Sequence, residues 1–482
     1  YEQILVDDPN SITALNNLAY LNAGPLNNMA KAQELAARAR TIQPASPEIA
    51  DTLGWILFQQ KDYPQALSLI EEAATKMPDN AEIQYHLGMA RYMQGQKDTA
   101  RTALEKAVAA KQPYAGIEQA REYLGQLTGD GAAEKGATIE SLTQRLKDTP
   151  GDVTARTRLA QLQEAAGQFK EAAANYQEAL KGNAGLIEAL LSLSRLHAGP
   201  LADPAQATGY AKRARALDGR NPAAARALGE AVLQQGDFRY ASTLLQEARS
   251  AGQDDPGLKA KLARATYGTG KTEQARALMQ EITTAPSGAP EKAAAQRFLT
   301  LTGEPTPATA AAAAEALKEN PDDLPALMTQ AGLMLQEGKT NDALAALEQI
   351  LKKQPEFVPV WKQLAAVLAT QEGRLDEAQT LAEKARQALP EDPALARTLG
   401  IIRCRKGSFE PAIRLLKESE TKAPLDATGL FYLGTSQLGA NQKDDGVATL
   451  KRAVGTADLP EALKKQAGDT LAKIEAADKP AP

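Results

Sequence analysis

Cysteine and histidine are nearly missing from this chain of 482 residues, which has one cysteine and two histidines. The single cysteine, Cys404, excludes an intrachain disulfide and a metal cluster held by cysteines. The two histidines, His86 and His197, lie far apart in the sequence, and no cluster of Asp and Glu stands at ligand spacing around them. Neither a histidine-based metal site nor a Ser/His/Asp triad is therefore predicted. We interpret both histidines as ordinary residues on helix surfaces.

Long apolar runs and aromatic residues are also scarce. No stretch of about 18 apolar residues occurs, so no segment of this sequence is predicted to span a membrane. Aromatic residues make up 4% and charged residues 24% of the chain. Alanine is abundant and runs of β-branched residues are almost absent, which predicts closely packed helices and essentially no β-sheet. The formal net charge of −5 argues against nucleic acid or an anionic lipid surface as a partner.

What the sequence does contain is internal repetition at a long spacing. The segment Ala23-Gly24-Pro25-Leu26 returns as Ala198-Gly199-Pro200-Leu201, which is 198 − 23 = 175 residues later. The pair Leu53-Gly54 recurs a third time as Leu399-Gly400, at an offset of 399 − 53 = 346 residues. One ancestral block has thus been triplicated. Such repetition indicates a stacked array whose units bury their apolar faces against neighbouring units instead of around one closed core.

The repetition divides the chain into three homologous blocks. These are predicted to cover residues 1–128, 138–302 and 309–478. Linkers rich in Gly, Pro and Thr at 128–137 and 302–309 separate the blocks. The first five residues, 1–5, align with 176–180, which end the second helix of a repeat, so the chain starts inside a repeat. A signal peptide, a lipoprotein anchor or further repeats upstream are compatible with that start.

Each block also has its own ends. We predict that every block closes with an unpaired amphipathic helix that covers the last apolar face. The predicted closing helices are 114–127, 290–301 and 460–474. Blocks two and three are predicted to open with a short helix, at 139–147 and 310–318.

A shorter period of about 34 residues runs through each block. In one unit the recurring small or apolar residues are Ala50, Leu53-Gly54, Leu57, Ala66, Ile70, Ala73 and Pro78. Small residues at Gly54 and Ala66 let two helix backbones approach closely. Glycines at the turn between the two helices share one place in the unit: Gly95, Gly167, Gly236, Gly270, Gly338 and Gly407. Prolines such as Pro78 then end the second helix.

This pattern resembles the tetratricopeptide repeat (TPR), whose signature combines Leu-Gly, an aromatic residue, Ala and a closing Pro. The resemblance covers nearly the whole chain. It implies an all-α fold, a right-handed superhelical α-solenoid of TPR helix pairs with about eleven repeats in the three blocks. It says almost nothing about function, because one fold carries many functions.

One motif has the appearance of a nucleotide site. The segment Ala265 to Thr272 ends in Gly270-Lys271-Thr272 and matches a loose phosphate-loop pattern. A genuine phosphate loop follows a β-strand, whereas here the preceding residues belong to a predicted helix and Gly270 occupies the turn position of the repeat. We therefore predict no nucleotide site, no other cofactor or metal, and no enzyme activity. Nucleotide hydrolysis that depends on Lys271 is the disfavoured alternative.

A partner site is the better prediction. In TPR proteins the concave groove is lined mainly by the first helix of each pair, so the resemblance assigns eight residues of block one to that surface. They are Asn16, Tyr20, Asp51, Trp55, Phe58, Tyr85, Met89 and Tyr92. Aromatic residues and methionine on an exposed face are typical of a partner site. The other interpretation, given equal weight, is that Trp55, Phe58 and Met93 pack against the neighbouring helix in the core.

The corresponding positions of blocks two and three are more basic. The residues assigned to the groove there are Arg195, Arg226, Arg264, Arg397 and Arg405. Arginine pairs of this kind suit an acidic peptide or a terminal carboxylate, while an ordinary solvated helix face is the favoured alternative. The carboxylate clamp of chaperone-adaptor TPR domains is not predicted in block one, because the corresponding residues lack its basic pair.

The amino-acid sequence of block one at 14–19, 50–55 and 85–88 also resembles repeats of bacterial envelope TPR lipoproteins associated with exopolysaccharide export and exosortase-type sorting. The sequence therefore predicts a non-catalytic scaffold that binds partner proteins or peptides in a TPR groove, in the bacterial periplasm or at the outer membrane. A cytoplasmic location is the alternative. A second hypothesis is an export accessory that contacts polysaccharide, with Trp55, Tyr85 and Tyr92 as platforms on which sugars stack.

Overall fold

The computed structural model describes residues 1–110, 113–128, 138–284 and 290–477. Within these ranges every regular element is an α-helix, as the composition predicts. The chain forms two compact units, residues 1–231 and 232–482, and the division falls inside one helix, Pro222–Gln234. Each unit is described by itself. The three homologous blocks are defined by sequence similarity and not by contacts, so they stay a prediction.

Unit 1 consists of short helices of similar length, which follow one another along the chain. They are α1 Glu2–Asp7, α2 Ile12–Ala23, α3 Met29–Ile42, α4 Pro47–Gln59, α5 Tyr63–Lys76, α6 Ala81–Met93, α7 Lys97–Ala109, α8 Ile117–Thr128, α9 Ile139–Asp148, α10 Val153–Ala165, α11 Phe169–Gly182, α12 Ile187–Ala198, α13 Pro204–Leu217 and α14 Pro222–Gln234. The pairs that pack most extensively are successive helices, such as α4 with α5 and α6 with α7.

Unit 2 has the same organisation. Its helices are α15 Phe238–Ser250, α16 Pro256–Gly268, α17 Thr272–Thr284, α18 Pro290–Leu301, α19 Pro307–Glu319, α20 Leu324–Gln336, α21 Thr340–Lys353, α22 Val358–Leu368, α23 Leu375–Ala388, α24 Pro393–Arg405, α25 Phe409–Lys422, α26 Ala427–Gly439, α27 Lys443–Val454 and α28 Glu461–Ala477. The predicted all-α fold built from helix pairs is confirmed.

Local sequence signals set the ends of the helices. The Asp62 carboxylate accepts the Gln65 N–H at 3.3 Å and caps α5, and Pro47 begins α4 behind a Ser46 cap. The turn glycines have positive φ at all six predicted positions, as Gly95 does at 76°. Only glycine adopts this backbone conformation without strain, so the turn assignment is confirmed.

Glycines also set the spacing within the helix pairs. A Cβ on Gly54 would lie 2.7 Å from Ile70 Cγ1, and one on Gly88 would lie 2.6 Å from Leu104 Cγ. Ile70 and Leu104 are completely buried. The paired helices therefore meet at a glycine into which a large apolar side chain of the other helix packs, as the small-residue positions predict.

The helices predicted at the ends of the blocks are present, with bounds within a few residues of the predicted ones. The closing helices are α8, α18 and α28. Helix α19 begins at Pro307, three residues before the predicted start, because the Thr306 hydroxyl accepts the Thr309 N–H and caps the helix earlier. Most of the first linker, residues 129–137, lies outside the described residues.

The first linker is bridged by direct contacts within unit 1. Lys61 Nζ donates to the Asp148 carbonyl at 2.6 Å, and Asn183 Nδ2 donates to the Gln94 carbonyl at 2.6 Å. A Cβ on Gly95 would meet the side chains of Val153 and Leu186 at 3.1 Å. The end of block one is therefore packed against helices α9, α10 and α12.

An ion pair between a buried carboxylate and a partly exposed guanidinium lies in the same junction. Asp152 is completely buried, and its carboxylate accepts the Arg145 guanidinium at 2.7 and 2.9 Å while capping α10 through the Ala155 N–H at 2.8 Å. The Arg145 guanidinium lies 5.8 Å from the ring centres of both Tyr92 and Tyr123. Helices α6 and α8 thus supply the aromatic rings next to an ion pair that joins α9 to the start of α10.

Candidate functional site

A pocket of about 430 Å³ lies between the helices α2, α4 and α6 of unit 1. It brings together three of the eight block-one residues that the sequence assigns to the groove, namely Tyr20, Asp51 and Trp55. The other lining residues are Ala23, Gly24, Pro25, Glu48, Thr52, Ile56, Gln59, Asn80, Glu82, Ile83 and His86. The three helices are the first helices of successive pairs, which is where the resemblance places a groove.

Stacked rings form one wall of this pocket. The Trp55 ring stacks on His86, with centroids 3.9 Å apart, and on Phe58, with centroids 4.6 Å apart. Phe58 itself is half-buried and touches Tyr63. Tyr20, by contrast, is 47% exposed. The faces of the Trp55 ring are therefore engaged by its neighbours, whereas the Tyr20 ring is open to a ligand.

His86 is the residue that sequence reasoning missed. It is buried, and its Nδ1 lies 2.9 and 3.0 Å from the two carboxylate oxygens of Asp51. The interpretation of His86 and His197 as helix-surface residues is wrong, since both are buried. The sequence contains a signal for this contact. Asp51 precedes His86 by 86 − 51 = 35 residues, which is about one repeat. The first helices of neighbouring pairs therefore place the two side chains next to each other.

The pocket is rich in carboxylates. Glu48, Asp51 and Glu82 line it, and none of its lining residues is Lys or Arg. The Ser46 hydroxyl donates to the Glu48 carboxylate at 2.7 Å and holds the pKa of Glu48 below its ordinary value. Glu48 is therefore ionised at neutral pH. The site combines an open tyrosine ring, apolar side chains and uncompensated negative charge.

Three block-one residues assigned to the groove are buried instead. Tyr85, Met89 and Tyr92 are 2%, 4% and 4% exposed. The closing helix α8 covers them, because Tyr85 donates to Gln119 and packs near Tyr114, and Tyr92 meets Tyr123 edge to face. Burial raises the pKa of each of these tyrosines. Asn16, the remaining member of the set, is half-buried on α2 and does not line the pocket.

Most of the five groove arginines are bound to other groups of the protein. Arg195 pairs with Glu164, and Arg226 pairs with Glu230 at 2.9 Å. Arg397 Nε donates to Asp426 at 2.7 Å.

Arg405 donates to the carbonyls of Ala369 at 2.7 Å and Gln371 at 3.0 Å. Arg264 alone of the five is exposed with no such bond among the described residues. A guanidinium already held by a carboxylate or carbonyl is less available to an acidic peptide.

In a second pocket of unit 1, of about 510 Å³, basic side chains of the protein compensate the charge of the acidic ones. Its lining includes Glu164, Glu188 and Arg195. Arg195 pairs with Glu164, and Lys97 lies 3.7 Å from Glu188. The two pockets therefore differ in charge, although both are formed along successive repeats.

The segment that resembles a phosphate loop is a repeat turn. Its first residues, up to Gly268, belong to α16, and Thr272 begins α17. The Gly270 N–H donates to the Tyr267 carbonyl at 2.8 Å, and a Cβ on Gly270 would lie 2.7 Å from Leu389. These N–H groups bond within the turn and do not surround a phosphate, so the helical interpretation is confirmed.

Elsewhere the described ranges offer little chemistry. Across them, no group of three or more His, Cys, Asp and Glu is arranged to hold a metal ion. Burial raises the pKa of the Cys404 thiol above its ordinary value. No helix in this part of the chain is both long enough and apolar enough to cross a bilayer.

His197 gives a prediction about stability. Both of its ring nitrogens are buried with no hydrogen-bond partner among the described residues. An unpaired buried polar group costs about 1–3 kcal/mol, so His197→Leu is expected to raise the midpoint of thermal unfolding, measured by circular dichroism. His86→Leu is the control and is expected to lower the midpoint, since it leaves the Asp51 carboxylate unpaired. A loss of stability in both variants would contradict this account of His197.

Comparison with known proteins agrees with the fold and with the repeat pattern. Residues 57–121 match the family model described as a tetratricopeptide repeat, and residues 325–428 match one described as the TT21 fifth ARM repeats domain. A TPR repeat-containing protein of Pseudomonas aeruginosa is 32% identical over 85 residues, 18% of this chain. Cellulose synthase operon protein C of Xanthomonas axonopodis pv. citri is 26% identical over 491 aligned residues, 96% of this chain. The chain spans 14% and 27% of the lengths of these two relatives.

Two solved structures were also matched. The yeast Tom70 crystal structure is 14% identical with a TM-score of 0.27, and covers 92% of this chain and 99% of that one. The Cut9–Hcn1 hetero-tetramer of the APC/C is 13% identical with a TM-score of 0.33, and covers 96% of this chain and 89% of that one. The family-model match and the two relatives confirm the resemblance to TPR proteins, and the second relative is a protein of a cellulose synthase operon.

Proposed function

We propose that this chain is a non-catalytic scaffold that binds partner proteins, and that the pocket of α2, α4 and α6 is a docking site for a segment of a partner. TPR repeats in general support protein interaction. The observation that carries the proposal is the position of this pocket on successive first helices, with the open Tyr20 ring at its edge. An amphipathic aromatic side chain of this kind is typical of a binding hot spot.

The proposed setting is the assembly of an exopolysaccharide in the bacterial envelope. Its support is the relative from a cellulose synthase operon, which aligns along 96% of this chain. Because the chain spans only 27% of that relative, the activity of the whole relative is not transferred to it. The scaffold would hold protein components of such a system through its repeats.

The polysaccharide hypothesis has less support from the geometry. Sugar stacking needs an open ring face, but Trp55 is stacked on His86 and Phe58, and Tyr85 and Tyr92 are buried. Tyr20 is the exposed ring that remains at this site. We therefore retain a protein segment as the proposed occupant.

Tyr20→Ala tests the docking site. A library of random peptides is selected on the full chain, and the affinity of the best synthetic peptide is measured by calorimetry. Loss of a hot-spot side chain costs about 2 kcal/mol or more, so Tyr20→Ala is expected to weaken binding by about 30-fold. Tyr240→Ala, at another exposed tyrosine (42%) outside this pocket, is the matched control and is expected to bind as the wild type does. Selected peptides that bind Tyr20→Ala unchanged would argue against this site.

A further inference from the structure

The charge of the pocket points to the chemistry of its occupant. We infer that the α2/α4/α6 pocket receives a lysine or arginine side chain of the partner segment. This inference rests on the proposed function, since it concerns the same docking site. It differs from the acidic peptide that the sequence left open as one interpretation, which depended on arginines that are largely paired in the structure.

Negative charge at this site is not neutralised by the protein. Glu48 and Glu82 form no ion pair with any residue of the described ranges, and Asp51 is bonded to His86. The hydrogen bond from Ser46 keeps Glu48 ionised. The Glu48 side chain is exposed and the Glu82 side chain is half-buried, so both carboxylates are accessible to a ligand. A cation bound between them is attracted by both.

The shape of the pocket also fits a long cationic side chain. The exposed Pro25 and the half-buried Trp55 supply apolar surface, which suits the aliphatic stem of lysine or arginine. The open Tyr20 ring, at the edge, offers a face over which a cation is attracted. The carboxylates of Glu48 and Glu82 line the same space and accept charge-assisted hydrogen bonds.

The second pocket shows that this charge is not a general property of the groove. There Arg195 and Lys97 lie against the two glutamates, Glu164 and Glu188. A cationic ligand would have to displace a cation of the protein. Glu188 therefore provides a matched control, because it is an acidic residue of a groove pocket whose charge is already compensated.

The experiment uses the random-peptide library on the full chain, with wild type beside the double variant Glu48→Gln/Glu82→Gln. Peptides selected on wild type are expected to carry Lys or Arg. For the best peptide, replacement of that residue by methionine is expected to weaken binding at least about tenfold, which is a loss of about 1.4 kcal/mol. The double variant is expected to show a similar loss, while Glu188→Gln binds the peptide as wild type does. Asp51 is left unchanged, because its removal would leave His86 without its partner.

The outcomes separate this inference from the proposed function. Peptides whose binding depends on Tyr20 but not on a cationic residue would overturn the inference and leave the docking site in place. Binding of a soluble cellulose oligomer that depends on Tyr20, without selection of basic peptides, would also overturn it. If Glu48→Gln/Glu82→Gln keeps the thermal unfolding midpoint of the wild type, a loss of binding is not caused by a loss of folding. If the midpoint falls, peptide binding is measured in the two single variants instead. Unchanged binding in both single variants would overturn the inference.

Discussion

Asp152→Ala is expected to lower the free energy of unfolding by about 2.5–4 kcal/mol, because it removes charge-assisted hydrogen bonds to a partly exposed guanidinium, worth about 1.5–3 kcal/mol, and a helix cap worth about 1 kcal/mol. The Asp152 carboxylate is completely buried and holds the Arg145 guanidinium between two tyrosine rings. Alanine would remove the bonds from that guanidinium to the buried carboxylate and would also remove the cap of α10. Urea denaturation followed by circular dichroism measures the loss.

Two further variants separate the causes. Asp152→Asn keeps an N-cap oxygen for the Ala155 N–H but removes the charge, so the difference between the Asn and Ala variants measures the cap, worth about 1 kcal/mol. Asp98→Ala removes the carboxylate of an exposed pair with Arg101, at 3.0 Å, and is expected to cost less than about 1 kcal/mol. Equal losses in the free energy of unfolding for Asp98→Ala and Asp152→Ala would contradict the larger contribution expected from the buried Asp152 carboxylate.

The Gly88 and Leu104 positions are expected to be strongly coupled. Leu104→Ala removes a completely buried side chain of α7 and is expected to cost about 2–5 kcal/mol. Gly88→Ala introduces a Cβ 2.6 Å from Leu104 Cγ and is expected to cost about 1–3 kcal/mol. In the double variant the new methyl group enters the space that Leu104 has left. Its cost is therefore expected to be at least about 1 kcal/mol below the sum of the single costs, measured by urea denaturation.

Gly209 is the control for this cycle. It lies in α13, and no heavy atom is within 4 Å of the position that its Cβ would take. Gly209→Ala is expected to raise stability by about 0.5–1 kcal/mol, since alanine favours a helix more than glycine does. Additive costs at Gly88 and Leu104 would show that the two side chains do not share this space.

The repeat signature predicted the helix pairing well because each signature residue acts locally. Gly54 and Gly88 mark the crossing of two adjacent helices, and Gly95 marks the turn between them. The role of each such position depends only on the contact between one helix and the next. The Asp51–His86 pair was predictable on the same ground, since a spacing of one repeat places two side chains side by side.

The block-one site was predicted only in part, because the covering elements lie outside the signature. Tyr20, Asp51 and Trp55 do line one pocket. Tyr85 and Met89 occupy the positions of Asp51 and Trp55 one repeat later (85 − 51 = 34 and 89 − 55 = 34), but the unpaired helix α8 covers them. A residue pattern of one repeat contains no information on what packs over it.

The sequence by itself determined the all-α fold, the helix pairs and their turns, since glycine, alanine and proline act there through backbone geometry at short range. The tertiary structure alone decided which groove side chains are free. Arg195 and Arg397 are bound by the carboxylates of Glu164 and Asp426, whereas Glu48 and Glu82 have no cationic partner among the residues that the structure describes. Charge pairing depends on distances between helices, and these distances follow from packing and not from the order of residues in a repeat.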